Sequence, residues 1–517
     1  MTKIQEDIEK LKKLRAEVRL GGGKDKIELQ HSKGKLTARE RIELLFDKNT
    51  FKEIYTFARH QCRDFGMDKY RPYGDAVITG FGEINGRICY AYATDFTVMG
   101  GSYGKTTAEK ICDVYRRARE VGVPVIALID SVGARIQEGG EKVPQIFYEN
   151  TLCSGVIPQI TAIMGPCAGV SVYSPAITDF VIMVDKTATM HITGPRVIEV
   201  ATGEKVSEQE LGGADVHSRI SGVADFVVKN DKECIELIRK LLSYLPSNWK
   251  EKPPRVETDD DPMRMDEKLN SIVPDDPKKP FDMYEIINRV VDKGSFLEVK
   301  KNFAPNIITG FARLNGETVG IVANQPKWLA GCLDINASEK AARFVRFCDC
   351  FNIPIITFSN SPGYLPGVDQ EHQGIIRRGA KLLFAYSEAT VPKITVLVRA
   401  SYGGAAAAMA NKWLGTDIVL AWPSAEMTVM GAKEAVSVLY YKEIQKIEDP
   451  NEKRKFIEEK AREFEEKFSN PYHLAERMAI DEIIIPSETR PWLIHCLKML
   501  RNKDVKHPKG KHRNIPL

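Results

Sequence analysis

Ser401-Tyr-Gly-Gly-Ala-Ala-Ala-Ala-Met409 is the stretch around which the chain is organised. Gly403 and Gly404 let the backbone turn where a side chain would obstruct it. The alanines that follow are the strongest helix formers. The stretch reads as a bare turn opening a helix, with unpaired backbone N–H groups at its start. Such a start attracts negative charge, because the free donors and the helix dipole point the same way. Small residues in this arrangement also let two helices pack closely, so the stretch alone does not separate binding from packing. A weaker copy in the first half of the chain, Gly165-Pro-Cys-Ala-Gly-Val-Ser-Val172, favours a paired device.

The copy belongs to a longer repeat. Val77-Ile-Thr-Gly-Phe-Gly-Glu-Ile-Asn-Gly86 returns as Ile307-Ile-Thr-Gly-Phe-Ala-Arg-Leu-Asn-Gly316, a spacing of 230 residues. Val123-Pro-Val-Ile126 returns as Ile353-Pro-Ile-Ile356 at the same spacing, and Ile157-Pro-Gln-Ile-Thr161 matches Val391-Pro-Lys-Ile-Thr395. Matches in this order indicate a duplicated domain. Gly169-Val170 falls opposite Gly404-Ala405 to within one residue. Two matching anion-friendly turns suit a reaction with two developing negative oxygens. The competing view, that both turns are packing relics of the duplication, requires no chemistry.

Each half reads as α/β. Asn85-Gly86 between two apolar runs predicts a hairpin, and Thr37 with Glu40 predicts a capped helix start. A helix is expected over Thr107 to Val121 and a buried strand over Val123 to Asp130. Ile4, Ile8, Leu11, Leu14 and Val18 recur at helical spacing, so the N-terminus is an amphipathic helix that packs on its own domain or on another subunit. A polar, proline-rich stretch over 251–280 reads as a linker between domains at 1–250 and 281–517.

Composition narrows the function. The 517 residues carry a net charge of +4 with no long basic run, which is no footprint for nucleic acid. Ten cysteines lack metal-type spacing, as in a reducing, cytoplasmic setting. No His, Asp or Glu cluster has ligand spacing, so no metal is expected. No apolar run approaches the ~20 residues of a membrane span, and no signal peptide is seen. Gly104-Lys105-Thr106 ends like a P-loop, but Met99 stands where the first glycine is required, so no nucleotide cradle is expected there.

Several longer motifs are specific. They are Asp95-Phe-Thr-Val98, Gly133-Ala-Arg-Ile-Gln-Glu-Gly139, Gly165-Pro-Cys-Ala-Gly169, Asn324-Gln-Pro-Lys327, Gly331-Cys-Leu-Asp-Ile-Asn336, Pro362-Gly-Tyr-Leu-Pro-Gly367, Tyr402-Gly-Gly-Ala405 and Ala421-Trp-Pro-Ser-Ala-Glu426. With them the chain resembles, over nearly its whole length, the carboxyltransferase (beta) subunits of biotin-dependent acyl-CoA carboxylases of the propionyl-CoA type. It is similar also to the alpha subunits of methylmalonyl-CoA decarboxylases.

The resemblance implies two crotonase-like domains of ββα spiral type. It implies a homo-hexamer, with active sites between the first domain of one chain and the second domain of another. Backbone donors at Gly169 and Val170, and at Gly404 and Ala405, are implied to hold the acyl-CoA thioester oxygen and the biotin ureido oxygen; which turn holds which is open. Gly100, Gly101, Gly133, Ala134 and Arg135 are the expected acyl-CoA-binding positions, with Arg135 and the basic segment Lys33 to Arg41 toward the CoA phosphates. Tyr364, Leu365, Tyr402, Ala406 and Ala407 are expected to border the biotin or acyl pocket. The implied reaction moves a carboxyl group between carboxybiotin and a short acyl-CoA, without metal or side-chain base. No Met-Lys-Met biotinylation site occurs, so biotin is expected on a separate carrier, with a separate biotin carboxylase or, for a decarboxylase, membrane subunits. A CoA-binding scaffold without turnover is the non-enzymatic alternative. Five positions depart from the family's usual pattern: Val132 and Val170 replace glycine, Asn360 replaces aspartate, and Ala406-Ala407 replaces a tyrosine and a residue that tunes acyl choice.

Overall fold

Asn85 and Gly86 both take positive φ, 52° and 72°, the geometry that a two-residue hairpin turn demands. In this computed structural model, which describes residues 2–516, they join strands of the first of two sheets. The chain divides into two units, Met1–Lys252 and Pro253–Leu517, and each unit holds one eight-stranded sheet.

The first sheet contains β1 (Lys52–Ile54), β2 (Val77–Ile84), β3 (Arg87–Thr94), β4 (Val125–Ser131), β5 (Gln159–Ala168), β6 (Phe180–Val184), β7 (Thr189–His191) and β8 (Phe226–Val228). The first three are antiparallel neighbours. From β3 onward the order is β3-β4-β5-β6-β8, all parallel, and β7 pairs beside the far end of β5. Every residue of β4 and β6 is buried, as in parallel strands covered on both faces.

The second sheet repeats this plan strand for strand. It contains β9 (Leu297–Val299), β10 (Ile307–Leu314), β11 (Glu317–Asn324), β12 (Ile355–Ser361), β13 (Lys393–Tyr402), β14 (Ile418–Ala421), β15 (Glu426–Thr428) and β16 (Glu482–Ile483). Asn315 and Gly316 repeat the hairpin turn at φ 51° and 76°. Even the irregularities coincide: the β4–β5 register shifts between Ile129 and Ser131, and the β12–β13 register shifts between Ser359 and Ser361. The α/β architecture with an internal duplication is thus the one expected. Ile308, Ile321, Ile356, Phe358, Val396 and Trp422 form the second core.

A helix covers each hairpin, Lys105–Val121 in the first unit and Ile335–Cys350 in the second. Each carries one buried lysine at the same place in the repeat. Lys110 Nζ donates to the carbonyls of Gly74 (2.8 Å) and Val77 (2.6 Å). Lys340 Nζ donates to those of Phe303 (2.8 Å) and Ile307 (2.7 Å).

Two expectations meet the structure differently. The helix Lys3–Arg19 forms, but none of its residues is buried, and Ile4, Ile8 and Leu11 stay exposed; its apolar stripe is not covered by its own domain. Residues 251–280, read as a linker, hold one 3-10 turn, Glu267–Ser271, and contribute Leu269 to the second core beside Met283 and Ile287.

Candidate active site

Strand β13 outlasts its neighbour β14 and ends at Tyr402. Gly403 then takes φ +56°, and a Cβ there would lie 2.9 Å from the carbonyl oxygen of Val429. Only glycine satisfies both conditions. The helix Gly403–Ala408 begins at once, and Tyr402 supplies no side-chain cap. The first amides of a helix have no intrahelical acceptor, so the N–H groups of Gly404 and Ala405 are donors that the helix itself does not use. With six residues this helix has little macrodipole, and the sequence-based appeal to a dipole gives way to one based on main-chain donors alone.

Gly404 is exposed. Beside it opens a cleft of about 440 Å³ whose lining includes Gly403, Gly404, Ala406, Trp413, Met427 and Val429. The far side of Gly404 faces Tyr364: a Cβ on Gly404 would stand 3.5 Å from the ring. The Tyr364 hydroxyl donates to the Gly379 carbonyl at 3.4 Å, and burial pushes its pKa up to about 12. Among the residues expected at the pocket, Ala406 lines the cleft and Tyr364 backs the turn. The Leu365 N–H donates to the Leu333 carbonyl at 2.8 Å. Tyr402 turns its hydroxyl to Glu426 instead of into the cleft.

The first unit builds the equivalent turn at the end of β5. Gly169 takes φ +61° and opens a 3-10 turn, Gly169–Val172, again without a side-chain cap. The ladder between β5 and β7 ends at Ala168, as that between β13 and β15 ends at Tyr402. Gly169 therefore stands opposite Gly403, and Val170 opposite Gly404. This fixes the register, one residue from the alignment that pairs Gly169 with Gly404.

Gly100, Gly101, Gly133 and Ala134 gather beside this first turn. A Cβ on Gly133, at φ +97°, would lie 2.5 Å from the Ala168 carbonyl oxygen, and one on Gly101 would lie 2.3 Å from that of Asp130. The Val132 N–H donates to the Gly100 carbonyl (3.0 Å) and the Tyr103 N–H to the Gly133 carbonyl (2.9 Å). Tyr103 and Ala134 form a parallel bridge, matched in the second unit by Leu333 and Tyr364. The glycines thus hold two loops against the strand end from which the turn departs.

Arg135 does not serve as expected. It is 4% exposed. Its guanidinium meets Asp75 at 2.9 Å and Glu138 at 2.6 Å, and it donates to the Ser102 hydroxyl and carbonyl at 3.1 and 3.0 Å. With its donors engaged internally it braces the loop, and a CoA phosphate would have to displace carboxylates already in place. Two members of the basic segment are likewise engaged internally, whereas Lys33 is exposed. Arg41 is fully buried between Asp130 (3.1 Å) and Asp231 (2.7 Å), and Lys35 reaches Asp130 at 3.0 Å. Burial works against the Arg41 charge, but Asp130 and Asp231 outweigh it and hold its pKa above the ordinary value. Burial holds that of Lys35 below the ordinary value despite Asp130.

Sequence reasoning missed Asp130 as an organising residue. It is the penultimate residue of the buried strand β4, and Gly165 of β5 packs so closely that a Cβ there would lie 2.0 Å from Oδ1. Its counterpart 230 residues on is Asn360, whose Oδ1 accepts the Ala400 N–H at 3.2 Å and whose N–H donates to Asn324 Oδ1 at 3.0 Å. Asn360 is 1% exposed, and an amide makes the Oδ1 bond there without burying a charge. The signal was available, because the repeat aligns an aspartate with an asparagine at the same strand end. Among the described residues no three His, Cys, Asp or Glu side chains gather as metal ligands would.

Comparison with known proteins identifies the family. The carboxyl transferase domain matches residues 29–515. The chain is 54% identical to the carboxyltransferase subunit of propionyl-CoA carboxylase from Haloferax mediterranei, over 99% of this chain and 100% of that one. It is 51% identical to the methylmalonyl-CoA decarboxylase subunit alpha from Veillonella parvula, over the full length of both. Among solved structures, the transcarboxylase 12S hexamer with methylmalonyl-CoA and methylmalonic acid bound superposes with a TM-score of 0.97. That match has 48% identity and covers 100% of this chain and 99% of the other. With a match that spans almost every residue and duplicated sheets that each end in an uncapped turn, the chain belongs to the carboxyl transferase domain family.

Proposed function

We propose that this chain transfers a carboxyl group between biotin on a separate carrier protein and a short-chain acyl-CoA, with propionyl-CoA and methylmalonyl-CoA as the leading pair. The observation that carries this reading is the pair of equivalent turns, each leaving the end of a central strand with main-chain donors at its start. Relatives named for both substrates support it, as does the transcarboxylase match with methylmalonyl-CoA bound.

Biotin suits what the second turn offers, an exposed glycine amide at the mouth of a cleft with Met427 and Val429 in its wall. When bound, biotin supplies a ureido nitrogen that carries the carboxyl group and a ureido oxygen that takes up negative charge. The chain's own part is to place donors where charge develops. The amides of Gly169 and Val170 serve one oxygen, and those of Gly404 and Ala405 the other; Val170 and Gly404 are the members that match in the repeat. Either pairing of turn with thioester or ureido oxygen satisfies the chemistry. Losing one such donor costs about 2.7–4 kcal/mol of transition-state stabilisation. Where bound ligands cover the turn against Met427 and Val429, less water reaches the donors, which strengthens each hydrogen bond to the developing charge. Ala406, small and on the cleft lining, leaves room for the acyl group or the ring. A hexamer, as in transcarboxylase 12S, and a biotin carboxylase as a separate subunit complete the proposed assembly. No described helix is long and apolar enough to cross a membrane.

The test is a panel of acetyl-, propionyl- and butyryl-CoA with a carboxylated biotin carrier. Propionyl-CoA is expected to turn over fastest, giving methylmalonyl-CoA. Absence of transfer to all three would overturn the reading in favour of a scaffold. A second reading runs the same site in reverse, as a decarboxylase subunit, and identities of 51% and 49% to two methylmalonyl-CoA decarboxylase alpha subunits favour it nearly as well. Recovery of membrane subunits in place of an ATP-dependent carboxylase in a pull-down selects it.

A further inference from the structure

The two turns share one strand template but differ in what crosses it. In both units a short parallel strand pairs with the last three residues before the turn. In the second unit the pairs are Ala400 with Glu426, Ser401 with Met427, and Tyr402 with Thr428. In the first they are Pro166 with Thr189, Cys167 with Met190, and Ala168 with His191. The second unit alone adds a side-chain bond across this ladder, the Tyr402 hydroxyl donating to Glu426 Oε2. At the equivalent places the first unit has Ala168 and Thr189, which cannot make it. The ladder forms there without the bond, so the fold does not require it.

We propose that Glu426, acting through Tyr402, is a positioning residue for the second turn in the carboxyl transfer assigned above, and the inference rests on that reading. Tyr402 is the residue immediately before Gly403. Strand β15 continues into Val429, whose carbonyl oxygen comes within 2.9 Å of where a Cβ on Gly403 would be, and Met427, Thr428 and Val429 line the cleft. One segment therefore both templates the turn and walls the site. The bond from Glu426 to Tyr402 fixes the turn's first residue relative to that wall, and so sets where the Gly404 and Ala405 amides point. Burial, reinforced by Glu426, holds the Tyr402 pKa above the ordinary tyrosine value, which keeps the hydroxyl a donor.

The test measures propionyl-CoA formation from methylmalonyl-CoA with free biotin as acceptor, in the full chain and its variants. Tyr402→Phe and Glu426→Ala are each expected to lower kcat about ten- to a hundredfold, the scale of a donor displaced by a fraction of an ångström, while KM for methylmalonyl-CoA changes little. Tyr402→Phe/Glu426→Ala should be no slower than either single variant, because both remove one bond. Glu426→Gln, whose amide oxygen can still accept, should recover most of the rate. Thermal melts establish that each variant is folded; because Phe and Gln preserve shape, Tyr402→Phe and Glu426→Gln carry the test if Glu426→Ala unfolds. Additive effects, a raised KM with unchanged kcat, or wild-type kcat in Tyr402→Phe would overturn the inference while leaving the function standing. A wild-type chain that transfers nothing would sink the function, and this inference with it.

Discussion

Gly403 and Gly404 are adjacent and look interchangeable in the sequence, yet the structure asks different things of them. Gly403 needs its positive φ and has no room for a Cβ beside Val429, whereas a Cβ on Gly404 would meet the Tyr364 ring at ordinary contact distance. Gly403→Ala is therefore expected to destabilise the protein by about 1–2 kcal/mol, and Gly404→Ala to leave stability nearly unchanged; denaturant unfolding of both variants checks this. Val170 stands where the second turn has Gly404, and Ala134 where the second unit has Tyr364; nothing in the structure explains the valine. Val170 changes only a side chain, and its N–H remains. Charged residues were the least legible. Arg135, Lys35 and Arg41 show their charge in the sequence, but Asp75, Asp130 and Asp231, which absorb it, are distant in the chain.

At the scale of elements, the two helices that cover the hairpins are docked through buried lysines. Burial lowers the Lys110 pKa to about 8 and that of Lys340 to about 7, from an ordinary 10.5. Between the folded and ordinary values the unfolded chain binds more protons, so these groups make stability rise with pH. Raising the pH from about 7 to about 8 is expected to stabilise the protein. Lys340→Met should flatten that rise in the transition that reports on the second unit; an unchanged slope in urea unfolding would refute the assignment. The elements themselves were largely readable. The Asn-Gly turns, the Thr37–Glu40 capping box, present as expected, and the apolar strands follow from local patterns. The turn register did not. It depends on where β7 and β15 stop pairing, a tertiary fact that the drifting repeat spacing leaves open by one residue. The 251–280 stretch likewise looked featureless, because proline and aspartate hide the few apolar anchors such as Leu269.

Across the whole molecule, duplication has produced two sheets with one plan and two turns with different chemistry around them. The first turn sits over a buried ionic cluster centred on Asp130; the second sits over a neutral asparagine and is tied to Glu426. The chain between β15 and β16 has also grown, carrying the helices Ala432–Leu439, Tyr441–Ile444 and Pro450–Phe468. The corresponding stretch of the first unit, between β7 and β8, holds the helices Pro195–Thr202, Glu208–Gly212 and Ala214–Arg219, the longest of them eight residues against nineteen for Pro450–Phe468. What remains common is the main-chain donor after a left-handed glycine, and the account of function rests on it. Proline at 404 would remove that N–H at the second helical position, where the helix tolerates it. The decisive measurement is the rate at which wild type, Gly404→Ala and Gly404→Pro pass the carboxyl group of methylmalonyl-CoA to a biotinylated carrier. Gly404→Ala should keep most of the rate and Gly404→Pro should lose about 10²–10³-fold with its oligomeric state unchanged; a Gly404→Pro variant that turns over like wild type would contradict the account.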